Sequence, residues 1–181
     1  MRDLSLHLLD LLENCTRAGA RTVELTLSFD PRTDRLGLSL QDDGPGLPVT
    51  AAQALDPFYT TKQGKRTGLG LPLFAANVEQ AGGRLALSPS PSLGGLRVDA
   101  TLVASHVDRL PLGDVPGTLF SILLTHPELT LRCLICQGEA VQRLERPGSV
   151  GEEPEGCEGW AEATEFMTKV QEALQSLQFP N

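Results

Sequence analysis

The sequence predicts an α/β protein in which helices cover one face of a mixed or antiparallel sheet, as a two-layer sandwich. Three observations predict it. Residues 4–19 carry apolar side chains at helical spacing, four later segments (21–29, 36–40, 84–88 and 96–102) alternate apolar and polar residues, and glycine-rich loops lie between them. No strand–helix–strand unit repeats, which disfavours a doubly wound parallel sheet.

The first predicted helix presents two faces. An apolar stripe suited to a core is formed by Leu4, Leu8, Leu11, Cys15 and Ala18. The second face carries four groups that can handle a metal ion, a proton or a phosphate, namely His7, Asp10, Asn14 and Arg17. The alternative is an ordinary amphipathic helix with a solvated polar face. For His7 we expect a helix-cap or packed side chain and not a phosphorylated one.

A hairpin of two strands follows the helix and leads into the segment 42–48, which has the sequence DDGPGLP. Asp42 stands at the strand end, where a carboxylate is partly buried and needs hydrogen-bond donors. The amino group of adenine is one such donor. Gly44 and Gly46 let the backbone approach a ligand closely. A plain Asp-Gly turn is the alternative.

The segment from Lys62 to Gly70 is rich in cations and glycine, which predicts a mobile loop suited to binding a polyphosphate. A helix over 70–81 follows, and its N-terminal N–H groups would point toward an anion in the loop. A solvated glycine loop is the alternative.

In the C-terminal third, the pattern predicts a helix over 115–126, strands over 129–136 and 140–144, and an amphipathic helix over 160–177. We expect that last helix to dock on its own domain, with a partner or a second copy as the alternative. Cys133 and Cys136 form a C-x-x-C motif, but alternation puts them on opposite faces of a strand, so we expect inert buried thiols and not a zinc or redox site.

Composition limits the functional classes. A net charge of −8 argues against a nucleic-acid-binding surface, which needs a basic patch. No apolar run is long enough to span a membrane, and the acidic residues near the N-terminus do not suit a signal peptide. We therefore expect a cytoplasmic protein with no membrane contact. Four cysteines are too few for a disulfide scaffold.

Four segments together resemble the boxes of the GHKL ATPase superfamily, which includes gyrase B subunits, heat-shock chaperone ATPases, histidine kinases and MutL-type repair proteins. Residues 10–14 (DLLEN) with 18–20 resemble the N box, and 42–46 (DDGPG) the first glycine box. Residues 56–62 (DPFYTTK) resemble the phenylalanine box of histidine kinases, and 68–71 (GLGL) the second glycine box. Stand-alone histidine-kinase-type ATPase domains are the group that the chain resembles most.

The resemblance implies a Bergerat-type ATP-binding fold over 1–106. For the rest of the chain, composition and periodicity predict an α/β extension over 107–145, a linker rich in Gly, Glu and Pro over 146–159, and the helix segment 160–181. The resemblance also implies ATP and Mg²⁺ as ligands, with Asn14 holding the metal, Asp42 binding the adenine amino group and Asp10 acting as the base. The implied ATP-binding set is Asn14, Arg17, Asp42, Gly44, Gly46, Phe58, Thr61, Lys62, Gly68, Leu69, Gly70 and Leu71.

The chain also departs from the family pattern. Asp10 is one methylene shorter than the usual glutamate, and Leu96 stands where threonine is common. We expect no hairpin bearing a phosphoaccepting histidine ahead of the domain. The implied function is phosphoryl transfer from Mg·ATP to a histidine or serine of a partner protein in trans, or to water, in bacterial signalling. The alternatives are a non-catalytic nucleotide sensor and a conformational ATPase that forms a homodimer when ATP binds.

Overall fold

The computed structural model describes residues 2–59, 69–149 and 158–180. Five helices and six strands occur in these ranges. In chain order they are α1 Leu4–Arg17, β1 Thr22–Asp30, β2 Arg35–Asp42, α2 Ala51–Leu55, α3 Gly70–Gln80, β3 Arg84–Pro89, β4 Leu96–Val103, α4 Val115–Thr125, β5 Thr130–Gln137, β6 Ala140–Arg146 and α5 Glu158–Ser176.

The strands of the described ranges form one mixed sheet in the order β3-β4-β2-β1-β5-β6. Strands β1 and β2 form the predicted antiparallel hairpin, in which Leu25 is paired with Leu40. On its other side β1 pairs in parallel with β5, so that Leu25 lies beside Cys133. The sheet is therefore mixed, one of the two forms the sequence left open.

The C-terminal hairpin of β5 and β6 continues this sheet and does not form a sheet of its own. The sequence predicted the hairpin but not its parallel pairing with β1. The boundaries placed after residues 106, 145 and 159 stay predictions.

The core lies between the helices and one face of the sheet. Alternate residues of the strands point into it, as the period-two pattern predicted, and Val23, Leu25 and Leu27 of β1 are almost fully buried. Burying each such side chain contributes about 1.5–3 kcal/mol. The opposite face of the sheet is polar, where Arg132 bonds the carboxylates of Glu24 and Glu145 at 3.1 Å each. This asymmetry confirms the two-layer α/β sandwich.

Helix α1 lies at the centre of the helical layer. Asp3 caps it by accepting a hydrogen bond from the Leu6 amide. The predicted stripe is buried, except that Ala18 lies past the last helical residue as the exposed C-cap. The row of four polar groups is split, because His7 is 1% exposed and packs inside.

His7 is a packed residue, as the sequence predicted. Its ring stacks on Phe74 of α3 at 4.8 Å, and its Nε2 lies 2.8 Å from the Asn77 amide nitrogen. Burial lowers the pKa of His7 to about 4, so the ring is neutral at pH 7. A neutral Nε2 accepts the amide hydrogen of Asn77 and joins α1 to α3.

Helix α5 docks on its own domain, which confirms the sequence prediction. Ala163, Phe166 and Val170 are buried against the core, and the helix packs on α4 and β6. Arg146 at the end of β6 is 3% exposed and donates to the backbone oxygen of Pro127 at 2.5 Å. A buried guanidinium needs such partners, so this bond helps fix the end of the sheet beneath α5.

The two β5 cysteines lie on opposite faces, as predicted. Cys133 is fully buried and burial raises its pKa to about 12, whereas Cys136 is half-buried on the polar face. Within the described ranges no group of three His, Cys, Asp or Glu residues could hold a metal ion. None of the described helices has the length and apolar content needed to cross a membrane.

Candidate functional site

A cavity of about 280 Å³ opens between α1, the ends of β2 and β4, the segment 46–59 and the first turn of α3. Its floor is apolar, with Leu40 and Val98 from the sheet and Leu11 from α1. Its polar lining includes the carboxylate of Asp42 and the pair of Asp10 and Asn14. An apolar slot with a few fixed polar groups is typical of a small-molecule site.

Asp42 is the last residue of β2 and is 4% exposed. Its Oδ1 accepts hydrogen bonds from the amides of Gly44 at 2.8 Å and Leu96 at 3.3 Å. Its Oδ2 lies 3.3 Å from the thiol of Cys15 on α1. Three donors from three elements therefore fix a carboxylate that is almost withdrawn from water.

Two glycines make room for this arrangement. A Cβ at Gly95 would overlap Asp42 Oδ1 and would stand 2.7 Å from the Gly44 nitrogen, so only glycine lets β4 begin against the carboxylate. The Gly95 amide also donates to the backbone oxygen of Asp42 at 3.0 Å. Gly46 has φ of +76°, a conformation that favours glycine, and its backbone lines the cavity.

The second polar group is a row along α1. The Asn14 amide donates to Asp10 Oδ2 at 3.3 Å, and its oxygen accepts from Arg17 at 3.2 Å. Arg17 also forms an ion pair with Glu13 at 2.6 Å, which draws the guanidinium along the outside of the helix. Asp10 and Asn14 line the cavity, whereas Arg17 lies outside its wall.

The first turn of α3 rests against Asp10. A Cβ at Gly70 would overlap the carboxylate of Asp10, so glycine is needed for this approach. The N-terminal end of a helix carries a partial positive charge that favours an anion. Asp10 is therefore held between that end and the Asn14 amide.

The donor set suits a magnesium ion that is shared with a ligand. Asp10 offers carboxylate oxygens at the cavity, whereas the Asn14 side-chain oxygen accepts from Arg17 and would have to exchange that bond for the metal. Mg²⁺ commonly takes only one or two protein oxygens together with phosphates and water. The described residues offer no protein-only cage for a metal ion. The residues therefore fit a Mg²⁺ whose other ligands come from a bound polyphosphate.

Six of the residues that the sequence singled out meet here. Those that line the cavity are Asp10, Asn14, Asp42, Gly46, Gly70 and Leu71. Gly44 supports Asp42 without lining the cavity, and Leu69 is 41% exposed at its edge. Phe58 is 94% exposed and its neighbour Tyr59 lines the cavity, so ATP contact by Phe58 stays a prediction. Thr61, Lys62 and Gly68 lie outside the described residues.

Sequence reasoning missed three features of the site. Cys15 was assigned only to the core stripe. Gly95 carried a signal, since a glycine pair directly precedes a strand, but nothing in the sequence linked it to Asp42. Helix α2 and the turn before it, residues 47–54, contribute Leu47, Gln53 and Ala54. Five helical residues are too few for periodicity, although the Thr50 and Gln53 capping box is a readable signal.

Comparison with known proteins agrees with the geometry. The family model described as histidine kinase-, DNA gyrase B-, and HSP90-like ATPase matches residues 2–107. The sensor protein kinase FleS of Pseudomonas aeruginosa is 42% identical over 55 residues, which are 30% of this chain and 14% of FleS. The sensor protein kinase PilS of the same organism is 42% identical over 70 residues, 35% of this chain and 13% of PilS.

The chain thus matches only a small part of the length of these two kinases. Among solved structures, the N-terminal domain of a DNA repair protein matches with a TM-score of 0.51 and 10% sequence identity. That match covers 92% of this chain and 57% of the other, and it shows a shared fold.

Proposed function

Because the chain belongs to the histidine kinase-, DNA gyrase B- and HSP90-like ATPase family and carries a kinase-type ATP-binding domain, we propose that it transfers the γ-phosphoryl group of Mg·ATP. The acceptor is a histidine or serine of a partner protein, or water. The observation that carries the proposal is that the buried carboxylate of Asp42 lines the same cavity as Asp10 and Asn14.

At the base end, Asp42 is suited to adenine. Its Oδ1 is occupied by two backbone amides, which leaves Oδ2 as the oxygen that can accept from a ligand. A buried carboxylate that accepts an N–H gains a charge-assisted bond of about 1.5–3 kcal/mol. Leu40 and Val98 offer apolar surface for the ring.

At the phosphate end, Asn14 would hold Mg²⁺, which neutralises charge on the transferring group when bound. Asp10 would act as the base toward an acceptor hydroxyl or water. The N-terminus of α3 adds a favourable dipole for the phosphates. Lys62 and Thr61 are proposed phosphate contacts from the loop.

Nucleotide sensing without transfer is the second candidate, and the position of Asp10 favours it. The carboxylate of Asp10 accepts from the Asn14 amide and lies against Gly70. To act as a base, it would have to give up these contacts before it could reach a water. In this version ATP binding alters a partner's binding surface and no phosphoryl group is transferred. A conformational ATPase that forms a homodimer when ATP binds is the third candidate. For all three candidates we propose a cytoplasmic location, because ATP is the ligand.

An assay with γ-labelled ATP and Mg²⁺ separates these functions. We would compare wild type with Asp10→Asn, and use Asp43→Asn as the matched control. The Asp43 carboxylate accepts from the backbone amides of Arg21 and Thr22 and does not line the cavity. Label on a partner supports a kinase, and release of phosphate that is lost only in Asp10→Asn supports hydrolysis. Binding without either product supports a sensor, and transfer by Asp10→Asn at the wild-type rate contradicts the role of Asp10.

A further inference from the structure

The thiol of Cys15 makes a contact that the family pattern does not explain. Cys15 lies on the inner face of α1, is 6% exposed and lines the cavity. Its sulfur is 3.3 Å from Asp42 Oδ2, within hydrogen-bond range for a thiol. It is the side-chain donor to the one carboxylate oxygen that backbone amides leave unoccupied.

The number of acceptor positions on Asp42 decides what a ligand can add. Each carboxylate oxygen accepts about two hydrogen bonds. Both positions on Oδ1 are taken, by the amides of Gly44 and Leu96. On Oδ2 the Cys15 thiol takes one position, which leaves a single position for a ligand N–H.

The contact between Cys15 and Asp42 is shielded from solvent. Cys15 is 6% exposed and Asp42 is 4% exposed, so water does not compete effectively for the thiol hydrogen. The bond joins α1 to the end of β2 and so fixes the side chain of Asp42 at the cavity.

We propose that Cys15 is a positioning residue that sets base specificity: its S–H holds Asp42 Oδ2 so that the remaining acceptor position accepts one hydrogen of a purine 6-amino group. This inference rests on the proposed function, since it names how the same cavity selects its base. A 6-oxo purine presents a carbonyl oxygen to that position and is repelled. If the thiol is removed, Oδ2 can turn and accept the ring N–H of a 6-oxo purine.

The test is calorimetric titration of the whole chain with ATP and with inosine triphosphate, each with Mg²⁺. Cys15→Ala should weaken ATP binding about three- to tenfold while binding of inosine triphosphate stays within about twofold or improves. Cys15→Ser keeps a donor and should restore the preference for ATP. Cys133→Ala, the same change in the core of β5, should leave the preference unaltered.

A coupling measurement removes a purely structural explanation. In an Asp42→Asn background, Cys15→Ala should have no further effect on ATP binding, because the bond it removes is already absent. The inference is wrong, while the proposed function stands, if Cys15→Ala leaves ATP binding unchanged or weakens the binding of ATP and of inosine triphosphate equally. If wild type binds neither nucleotide, the proposed function fails as well.

Discussion

Acidification should destabilise the protein through His7, the histidine that joins α1 to α3. Its ring is 1% exposed, stacks on Phe74 and accepts from Asn77, and burial lowers its pKa to about 4. In the unfolded chain the pKa returns to its ordinary value of about 6.5. The unfolded state therefore binds an extra proton between these two values.

The sign of the effect follows from this difference. Above pH 6.5 His7 is neutral in both states and its contribution to stability is fully present. As the pH falls from 6.5 toward 4, protonation of the unfolded state lowers the free energy of unfolding. The difference between these two pKa values corresponds to at most about 3–4 kcal/mol.

Urea denaturation followed by circular dichroism at pH 7.5, 5.5 and 4.5 measures the effect. His7→Gln removes the titration while its side-chain oxygen can still accept from Asn77, and His126→Gln is the control at a partly exposed histidine. Carboxylates titrate alike in all three proteins and cancel in the differences. Wild type and His126→Gln should lose about 2–3 kcal/mol more than His7→Gln between pH 7.5 and 4.5. Equal losses in wild type and His7→Gln would refute the reasoning.

Three further predictions concern the cavity and the thiols. Gly70→Ala places a Cβ where the Asp10 carboxylate lies and forces that side chain aside, so phosphoryl transfer should fall at least about tenfold. Unchanged transfer in the labelled-ATP assay would contradict this. Gly95→Ala displaces Asp42 and should weaken ATP binding by about tenfold or more in calorimetry; wild-type affinity would count against it. Cys136 should react with a thiol reagent in mass spectrometry before the fully buried cysteine of β5 does, and the reverse order would show that the polar face of the sheet is covered.

The sequence was informative where local pattern determines structure. The apolar stripe of α1 and the alternation of β1, β2 and β4 predicted those elements, because a residue's position in a helix or strand decides which face it takes. Asp42 was predicted to be partly buried, since it directly follows an alternating strand and precedes two glycines. The structure confirms that burial.

Contacts between distant segments could not be predicted in this way. The parallel pairing of β1 with β5 joins Thr22 to Thr130, and no local pattern encodes a strand's partner. The bond between Cys15 and Asp42 joins residues 27 positions apart, and the stripe alone explained why Cys15 is buried. Helix α2 is only five residues long, so it shows no helical periodicity in the sequence, and its capping box is the local signal for it.

The central claim is that the Asp42 carboxylate recognises the base of ATP, and calorimetry with ATP at neutral pH and millimolar Mg²⁺ tests it most directly. Asp42→Asn keeps an oxygen for the backbone amides but turns Oδ2 into an NH₂ donor, so ATP affinity should fall about 10- to 100-fold. Asp43→Asn, in the adjacent carboxylate, should bind ATP like wild type. Equal affinity of Asp42→Asn and wild type would contradict the account.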